Sequence, residues 1–210
     1  MSALSASSVM ELHTKVLGSE PGRLYNALWN EIIRIRIKWQ EYCSLFQAGP
    51  KTIATLNAAA PFFFYLVQDL LLNDIILSLS RITSRKTVDD KANLTVAWLP
   101  ESMPDAGDLQ ILDQLVSTAI AASRFTKDRR NRYIAHRDYA LFVKQTAKPI
   151  RPIKCRQVEG ALKALWKIIE HLEYYYFKST TIDQIVRPMT GVSSLLHFLS
   201  EAQRSLRKPE

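Results

Sequence analysis

Apolar residues recur at alternating steps of four and three positions along most of this sequence. The pattern is clearest from Leu24 to Phe46, where polar residues such as Arg34 and Lys38 occupy positions between the apolar ones. Steps of this size place apolar side chains on one face of an α-helix. Similar patterns predict further helices over residues 62–83, 108–142, 158–177 and 192–206. The chain is therefore expected to be an all-α protein.

The predicted helices are separated by glycine, proline and one polar stretch. Gly49-Pro50 ends the first predicted helix. Residues 84–107 are largely polar and predict one long connection, with a short extended piece over residues 94–98. The other connections are short, which favours an up-and-down bundle of four to five helices.

The composition favours a single globular domain. Among the 210 residues, 47% are hydrophobic and 23% are charged, which is enough apolar material for a sizeable core. The sequence contains no internal repeat and no low-complexity tract. We predict one helical domain over residues 1–210, with a polar lead-in over residues 1–20 and a core over residues 24–206.

Three sequence features bear on the cellular compartment. Cys43 and Cys155 are the only cysteines, too few for a disulfide framework. Residues 1–15 lack the basic and apolar pattern of a secretory signal. The longest apolar stretch, residues 58–67, is well short of the roughly 20 residues that span a bilayer. We expect a cytoplasmic protein that does not bind a membrane.

Residues 124–156, the basic segment, hold the positive charge excess of the chain. The segment has eleven Lys and Arg residues against two acidic residues, whereas the whole chain has a net charge of +8. At its centre, the run from Asp128 to Asp138 contains His136. Guanidinium groups bind phosphate, and imidazole transfers protons near neutral pH. The basic segment therefore predicts an anionic partner such as a nucleic acid.

The run from Arg130 to His136 resembles the signature of the HEPN superfamily. That signature is an arginine followed by a polar residue, with four to six residues between the arginine and a histidine. Here Arg130-Asn131 precedes His136 with five intervening residues. With the longer string ending at Asp138 and the upstream run over residues 74–83, the sequence is similar to the AbiU-type abortive-infection branch. The resemblance covers roughly residues 24–177.

The resemblance implies a metal-independent endoribonuclease without a cofactor. Such proteins are usually homodimers in which two motifs face each other across a shared cleft. The resemblance also implies the toxin of a prokaryotic toxin–antitoxin or phage-defence system, with RNA as substrate and an antitoxin protein as a possible partner.

The implied mechanism gives each motif residue a role. The 2′-hydroxyl of the RNA attacks the adjacent phosphate, with His136 acting as general acid or base. Arg130 holds the scissile phosphate and stabilises its developing charge, and Asn131 orients a catalytic group. The expected products are a 2′,3′-cyclic phosphate and a 5′-hydroxyl.

Helix geometry introduces a rival to Arg130. At about 100° per residue, Arg132 and Arg129 lie within about 40° of His136 on a straight helix, whereas Arg130 lies about 120° away. The family motif favours Arg130, with a helix distortion or the second protomer supplying the missing geometry. Arg130 is therefore the first candidate and Arg132 the second.

Other residues are assigned to RNA binding or to support of the site. The RNA-binding candidates are Arg129, Arg137, Lys144, Lys148 and Arg151. The supporting candidates are Asp74, Arg81 and Asp138. Arg81 is interpreted either as a substrate ligand or as a buried partner of one of the two aspartates. The histidine and cysteine spacings predict no metal site.

Two aromatic runs, residues 62–65 and 174–177, lie in apolar predicted helices. They favour core packing or a dimer interface over stacking on RNA bases.

Two other functions stay open from the sequence alone. One is a non-catalytic adaptor that binds RNA or a nucleotide. The other is a helical module whose basic segment docks an acidic protein partner. A His136→Ala change would abolish the activity of a nuclease, but it would leave the affinity of either binder almost unchanged.

Overall fold

The computed structural model describes residues 6–104, 109–134, 138–144, 148–179 and 191–206, and these residues are predominantly helical. The α-helices are α1 (Ala6–Leu17), α2 (Ser19–Phe46), α3 (Pro50–Ala59), α4 (Pro61–Ile82), α5 (Leu99–Ser102), α6 (Leu109–Ala122), α7 (Thr126–Arg129), α8 (Cys155–Phe177) and α9 (Val192–Leu206). There is a 3₁₀ turn at Val96–Trp98, and there are π-helical segments at Arg130–Ile134 and Ala140–Lys144. Strands β1 (Thr87–Val88) and β2 (Lys91–Ala92) pair antiparallel as a small hairpin. The predicted all-α class is confirmed.

The helices with the strongest apolar period occur where the sequence predicts them. Helices α2, α4 and α8 begin and end within five residues of the predicted bounds, and α9 has the predicted bounds. The residues that set the period are buried, including Leu28 and Ile32 in α2 and Leu165 and Ile169 in α8. Periodicity alone is therefore sufficient to locate these four helices.

Pro61 separates α3 from α4. A residue before proline is disfavoured in the helical conformation, and Ala60 has φ −161° and ψ 77°. Pro61 then begins α4, where its missing N–H does not remove a helical hydrogen bond.

The polar lead-in predicted over residues 1–20 is wrong for the described residues, because α1 occupies Ala6–Leu17. His13 and Leu17 are one helical turn apart and both are buried. Met10, Leu12 and Val16 are exposed instead. Val9, Leu12, Val16 and Leu17 follow steps of three, four and one, which is a helical period that the prediction of a polar lead-in missed.

The extended piece predicted over residues 94–98 is also wrong. Thr95 instead begins the 3₁₀ turn, where its hydroxyl oxygen accepts a hydrogen bond from the Ala97 N–H at 3.3 Å. The same hydroxyl lies 2.9 Å from the carbonyl oxygens of Ile82 and Ser84. The buried threonine thus acts as an N-cap for the turn and links it to the end of α4.

The single helix predicted over residues 108–142 is interrupted after Ala122. The Thr126 hydroxyl donates to the Ser123 carbonyl at 2.7 Å, and α7 begins at this threonine. A short polar side chain that bonds its own backbone competes with a continuous helix. The apolar period before Ala122 and the basic residues after it belong to different helices.

The chain divides into two compact units, with boundaries inside α2 and α4. The first unit contains residues 1–34 and 76–183, and the second contains residues 35–75 and 184–210. Buried residues of the first unit include Tyr25, Leu28, Ile32, Ile76, Leu79, Ile82, Leu99, Leu112, Val116, Val158, Leu165, Ile169 and Leu172. Buried residues of the second include Ile35, Trp39, Tyr42, Leu45, Leu56, Phe64, Ile75 and Val192.

Helix α9 is held within the second unit by polar contacts as well as by packing. The Val192 N–H donates to Glu41 Oε2 at 2.6 Å, so a carboxylate from α2 caps the start of α9. Near the other end of α9, Gln203 Nε2 donates to the Thr55 carbonyl at 2.9 Å.

Helix α4 begins with an exposed apolar face. Phe64 is buried, but Phe62, Phe63 and Tyr65 are 72%, 58% and 65% exposed. Among the described helices, α4 alone is long and apolar enough to cross a membrane, a criterion that core helices of soluble proteins also meet. Exposed apolar surface of this kind is typical of an interaction site.

Candidate functional site

The described part of the basic segment consists of several short pieces. These are α7, the two π-helical segments, the irregular stretch over residues 148–154, and the start of α8. The stretch over residues 148–154 contains Pro149 and Pro152 and is called the proline strap here. His136 and Arg137 lie outside the described residues.

Arg130 and Asn131 begin the first π-helical segment and are both exposed. The Arg130 Nη1 donates to Asn131 Oδ1 at 3.2 Å. A π-helical turn holds more residues than an α-helical turn, so it changes which residues share a face, and such turns are frequent at functional sites. The segment is therefore a helix distortion within the motif, which is one of the two explanations offered for the position of Arg130 relative to His136.

Arg132 is held by three acceptors from three parts of the first unit. Its Nε donates to Asp138 Oδ2 at 3.0 Å, its Nη1 donates to Asp128 Oδ1 at 3.3 Å, and its Nη2 donates to the Lys148 carbonyl at 2.7 Å. The hydrogen bond to Asp138, assisted by Asp128, raises the pKa of Arg132 above its ordinary value. Every nitrogen of the guanidinium group therefore has a protein partner, and this arrangement is called the Arg132 clamp.

Asp138 completes the Arg132 clamp on the C-terminal side of the motif. Its Oδ1 accepts from the Ala140 N–H at 3.0 Å, while its Oδ2 accepts from Arg132. The Asp138 N–H also donates to the Arg132 carbonyl at 3.2 Å. Asp138 thus fixes the start of the second π-helical segment relative to the first.

A cavity of about 410 Å³ lies beside the Arg132 clamp in the first unit. It is lined by α7 and its preceding turn, by Arg132, by the proline strap and by the first turn of α8. The lining residues are Arg124, Phe125, Asp128, Arg129, Arg132, Lys148, Pro149, Ile150, Arg151, Pro152, Ile153 and Gln157. Five are basic and one is acidic, so the cavity is strongly cationic.

The proline strap closes one side of the cavity because of its local chemistry. Proline restricts φ and lacks an N–H, so residues 149–152 form neither a helix nor a paired strand. Helix α8 then begins at Cys155, where Gln157 Oε1 accepts from the Lys154 N–H at 3.0 Å. The N-terminus of α8, which carries a partial positive charge, is thereby placed at the cavity.

The remaining predicted residues of the basic segment differ in their surroundings. Arg129 lines the cavity, and its guanidinium carbon lies 4.8 Å from the centre of the Tyr133 ring. Lys144 is exposed in the second π-helical segment, with Nζ 5.8 Å from the centre of the Tyr139 ring. Among the RNA-binding candidates, Arg129, Lys148 and Arg151 therefore share one cavity.

Arg81 and Asp74 lie in different environments from the ones predicted. The buried pairing of Arg81 with Asp74 or Asp138 is wrong, because Arg81 is exposed and its Nη2 donates to Ser78 Oγ at 3.3 Å. Asp74 instead accepts from Lys38 Nζ at 2.6 Å. In the described part of the chain, no group of three His, Cys, Asp or Glu residues is arranged to hold a metal ion.

The sequence profile of the AbiU2 family of HEPN domains matches residues 19–189, which is most of the chain. This chain belongs to the AbiU2 family of HEPN domains. No match to it was found among curated proteins or among solved structures. The AbiU-type resemblance drawn from residues 130–138 and 74–83 is therefore confirmed.

The matched region of this AbiU2-family protein includes the motif, the Arg132 clamp and the cavity. Four basic residues of the cavity are site candidates from the sequence: Arg129, Arg132, Lys148 and Arg151. The other basic residue, Arg124, is not, and neither are Phe125, Ile150, Ile153 and Gln157. The sequence signal that could have indicated this wall of the cavity is the spacing of Pro149 and Pro152 between basic residues. Proline spacing shows that the strap is irregular, but it does not show which helix the strap packs against.

A second polar cluster of the AbiU2-family protein is buried between α1, α2 and α8. His13 Nδ1 lies 3.1 Å from Asn26 Oδ1, and its ring packs against Tyr25 and Phe177. Burial lowers the pKa of His13 below its ordinary value, although Asn26 and Glu173 act in the opposite direction. His13 is thus a core histidine.

Glu173 is the acceptor of that cluster. Its Oε1 accepts from the Tyr25 hydroxyl at 2.5 Å, and its Oε2 accepts from the Ser179 hydroxyl at 2.8 Å. Burial, together with the negative charge of Glu173, raises the pKa of Tyr25 well above its ordinary range. The tyrosine therefore stays protonated and acts as a donor to the carboxylate.

Proposed function

We propose that this AbiU2-family protein is a metal-independent endoribonuclease that cleaves RNA by attack of the substrate's own 2′-hydroxyl. The 2′-oxygen forms a bond to phosphorus while the bond from phosphorus to the 5′-oxygen breaks. A base removes the 2′-hydroxyl proton, and an acid delivers a proton to the departing 5′-oxygen. The products are a 2′,3′-cyclic phosphate and a 5′-hydroxyl.

In this proposal, His136 performs proton transfer and Arg130 binds the phosphate. Imidazole is suited to general acid–base work near neutral pH. A guanidinium group stabilises the additional negative charge of a pentavalent phosphorus transition state. Asn131, which accepts from Arg130, orients the guanidinium group.

The observation that carries the proposal is the contrast between the two motif arginines. Arg130 is exposed and has Asn131 as its described hydrogen-bond partner, so its remaining donors can bind a phosphate. Arg132 donates from all three nitrogens to protein acceptors. This difference supports Arg130 as the phosphate ligand and gives Arg132 a structural role. The cationic cavity lined in part by Arg129 and Arg132 supports RNA as the substrate.

We also propose that the protein acts as a homodimer in the cytoplasm and not at a membrane. Its biological role would be that of a toxin in a toxin–antitoxin or abortive-infection system, restrained by an antitoxin protein. Membership of the AbiU2 family supports this role. Light scattering after size-exclusion chromatography would test the dimer, since a monomer mass at micromolar concentration would contradict it.

Cleavage of total RNA in the presence of EDTA tests the proposed activity. The wild-type protein should produce fragments with cyclic-phosphate ends, and His136→Ala should be slower by at least about a hundredfold. His197 is an exposed histidine on α9, so His197→Ala is the matched control and should cleave at the wild-type rate.

Two outcomes would replace the nuclease proposal. Intact RNA with tight, salt-sensitive binding by both variants would identify a non-catalytic adaptor. Intact RNA without binding would favour a helical module that docks an acidic protein partner.

Mixed dimers would locate the active site relative to the dimer interface. If Arg130 of one protomer works with His136 of its partner, a dimer of one Arg130→Ala chain and one His136→Ala chain retains one complete site. Activity that returns on mixing the two inactive variants would support a shared site. No return of activity would assign both residues to one protomer.

A further inference from the structure

The cavity beside the Arg132 clamp combines two kinds of wall. Phe125, Ile150 and Ile153 are each partly buried and present apolar surface, and Pro149 and Pro152 add to it. Arg124, Arg129, Lys148 and Arg151 provide positive charge around this surface. A surface that only attracted a nucleic-acid backbone would need the charge but not the apolar wall.

The charge of the cavity remains cationic after its internal ion pairs are considered. Arg132 and Asp128 bind each other, and Arg132 also binds Asp138. The single acidic residue of the lining is therefore matched by Arg132. The lining also contains Arg124, Arg129, Lys148 and Arg151, so basic residues outnumber acidic ones and an anionic ligand is favoured.

The first turn of α8 adds two features that suit a nucleotide. Helix α8 is 23 residues long, and its N-terminus favours negative charge near the proline strap. Gln157 uses its Oε1 to accept from Lys154, and its amide nitrogen can donate to a ligand. An apolar wall with an amide donor is a suitable environment for a nucleobase, because a base has flat faces and hydrogen-bonding edges.

The size of the cavity also suits one nucleotide. Its volume of about 410 Å³ lies within the range of roughly 300–1,000 Å³ that is typical of small-ligand pockets. A single metal ion or an inorganic phosphate would fill only a small part of it.

We propose that this cavity binds one nucleotide of the RNA, with the base against the apolar wall and the phosphate at the basic residues. The inference rests on the proposed ribonuclease function, since it assigns this nucleotide to the strand that Arg130 and His136 cleave. Arg129 and Arg132 line the cavity and flank Arg130 in the sequence, so the bound nucleotide lies next to the scissile phosphate. The cavity then selects the base at the cleavage site.

Calorimetric titration with nucleoside monophosphates and with inorganic phosphate tests the charged wall. Arg151→Ala should weaken nucleotide binding by about tenfold or more, since it removes a charge-assisted contact. Lys127→Ala is the matched control, because Lys127 is an exposed basic residue of α7 outside the cavity lining. The control should bind nucleotide within about twofold of the wild-type protein.

The apolar wall is tested by Ile150→Ser, with Phe125→Ala as a second variant. Loss of the aromatic contact in Phe125→Ala should lower the affinity by about five- to 160-fold, the equivalent of roughly 1–3 kcal/mol per stacked base. Both variants should weaken nucleotide binding and leave inorganic phosphate binding unchanged. Circular dichroism would confirm that each variant is folded, and Ile150→Ser, on the proline strap, serves if Phe125→Ala does not fold.

Nucleotide binding and RNA cleavage are measured in separate assays, so a negative result for one proposal can be distinguished from a negative result for the other. Cleavage by the wild-type protein, with nucleotide affinity insensitive to Arg151→Ala and Ile150→Ser, would overturn the nucleotide cavity and leave the nuclease intact. Nucleotide binding that depends on both residues, in a protein that leaves RNA uncut, would support the cavity and overturn the nuclease. Equal affinity for phosphate and for nucleotides would overturn the base-binding wall.

Discussion

Arg130 and Arg132 are two residues apart, yet their different surroundings indicate different roles. Arg132 joins α7, Asp138 and the proline strap through three hydrogen bonds. Arg130 has Asn131 as its described hydrogen-bond partner and is exposed. The planar guanidinium group suits both tasks, because its fixed fork can hold several acceptors or one phosphate.

Separate substitutions of the two arginines should have different effects, one on the stability of the protein and the other on its activity. Arg132→Ala should lower the melting temperature, because it leaves Asp128 and Asp138 close together without their shared cation. Arg130→Ala should keep the wild-type melting temperature and slow RNA cleavage by about 10²–10³, the usual cost of removing one transition-state donor. Thermal denaturation and cleavage rates, measured on the same preparations, check both effects.

Arg132→Lys is the informative control for the Arg132 clamp. It keeps the positive charge, but a lysine cannot donate to three separated acceptors in the same geometry. A melting temperature close to that of Arg132→Ala would show that the fork geometry matters. A wild-type melting temperature would contradict the clamp and leave only a requirement for charge.

His13 should make the stability of the protein depend on pH. Burial holds its pKa in the folded state below the 6.5 of an exposed histidine, so the unfolded chain binds a proton more readily than the folded one. The contribution of neutral His13 to the free energy of unfolding is fully present above pH 6.5. It is lost as the pH falls below that value. Urea unfolding at pH 7.5 and at pH 5.5 should therefore show lower stability at pH 5.5.

A neutral replacement isolates the contribution of His13. His13→Gln should show a smaller loss of stability between pH 7.5 and pH 5.5 than the wild-type protein. His197→Gln, at an exposed position of α9, should keep the wild-type pH dependence. Equal pH dependence of the wild-type and His13→Gln proteins would show that His13 is accessible to protons in the folded state.

At the scale of elements, α2 and α8 are linked by the hydrogen bond from Tyr25 to Glu173. Tyr25→Phe removes the donor and keeps the ring contacts with His13 and Phe177. We expect a loss of about 1–3 kcal/mol in the free energy of unfolding, because a partly buried carboxylate loses one of its partners. Chemical denaturation measures it, and Tyr174→Phe, at an exposed position of α8, should change stability by less than about 0.5 kcal/mol.

The helices predicted with nearly correct bounds, α2, α4, α8 and α9, are those in which the apolar period repeats over at least four turns. In α2 and α8 the period of the sequence corresponds to the buried face, so the prediction holds. In α1 only His13 and Leu17 are well buried, and in the 3₁₀ turn Thr95 decides the conformation through contacts with Ile82 and Ser84. These contacts depend on the tertiary arrangement, and periodicity in a single segment does not record them.

At the scale of the whole molecule, the basic segment should determine how RNA binding responds to salt. Each phosphate contact to single-stranded RNA contributes a slope of about −0.7 in log affinity against log salt concentration. Replacing both Lys148 and Arg151 by alanine should therefore reduce the slope by about 1.4. Fluorescence anisotropy with a labelled RNA, measured at several potassium chloride concentrations, checks this value.

A distant lysine provides the comparison for the salt slope. Lys163 is exposed on α8 and is not part of the cavity lining, so Lys163→Ala should keep the wild-type slope. An equal reduction in this variant would mean that RNA binds to the positive charge of the protein in general and not to the basic segment.

The sequence predicts the chemistry of the candidate site better than its shape. The motif and the local charge are visible in residues 124–156, and the family match agrees with them. The cavity requires Phe125, Ile153 and Gln157 to meet around the proline strap, and these residues follow no shared period. The Arg132 clamp is equally hidden, because two of its acceptors, Asp138 and the Lys148 carbonyl, are not one helical turn away.

The proline strap has a kinetic consequence for any ligand of the cavity. Pro149 and Pro152 restrict the backbone on one side before a ligand arrives, so little conformational freedom remains to be lost on binding. Association of a ligand with the cavity therefore does not require that side of the cavity to form first. Different nucleotides should associate at similar rates, and the preference for one base should be expressed in how slowly it leaves.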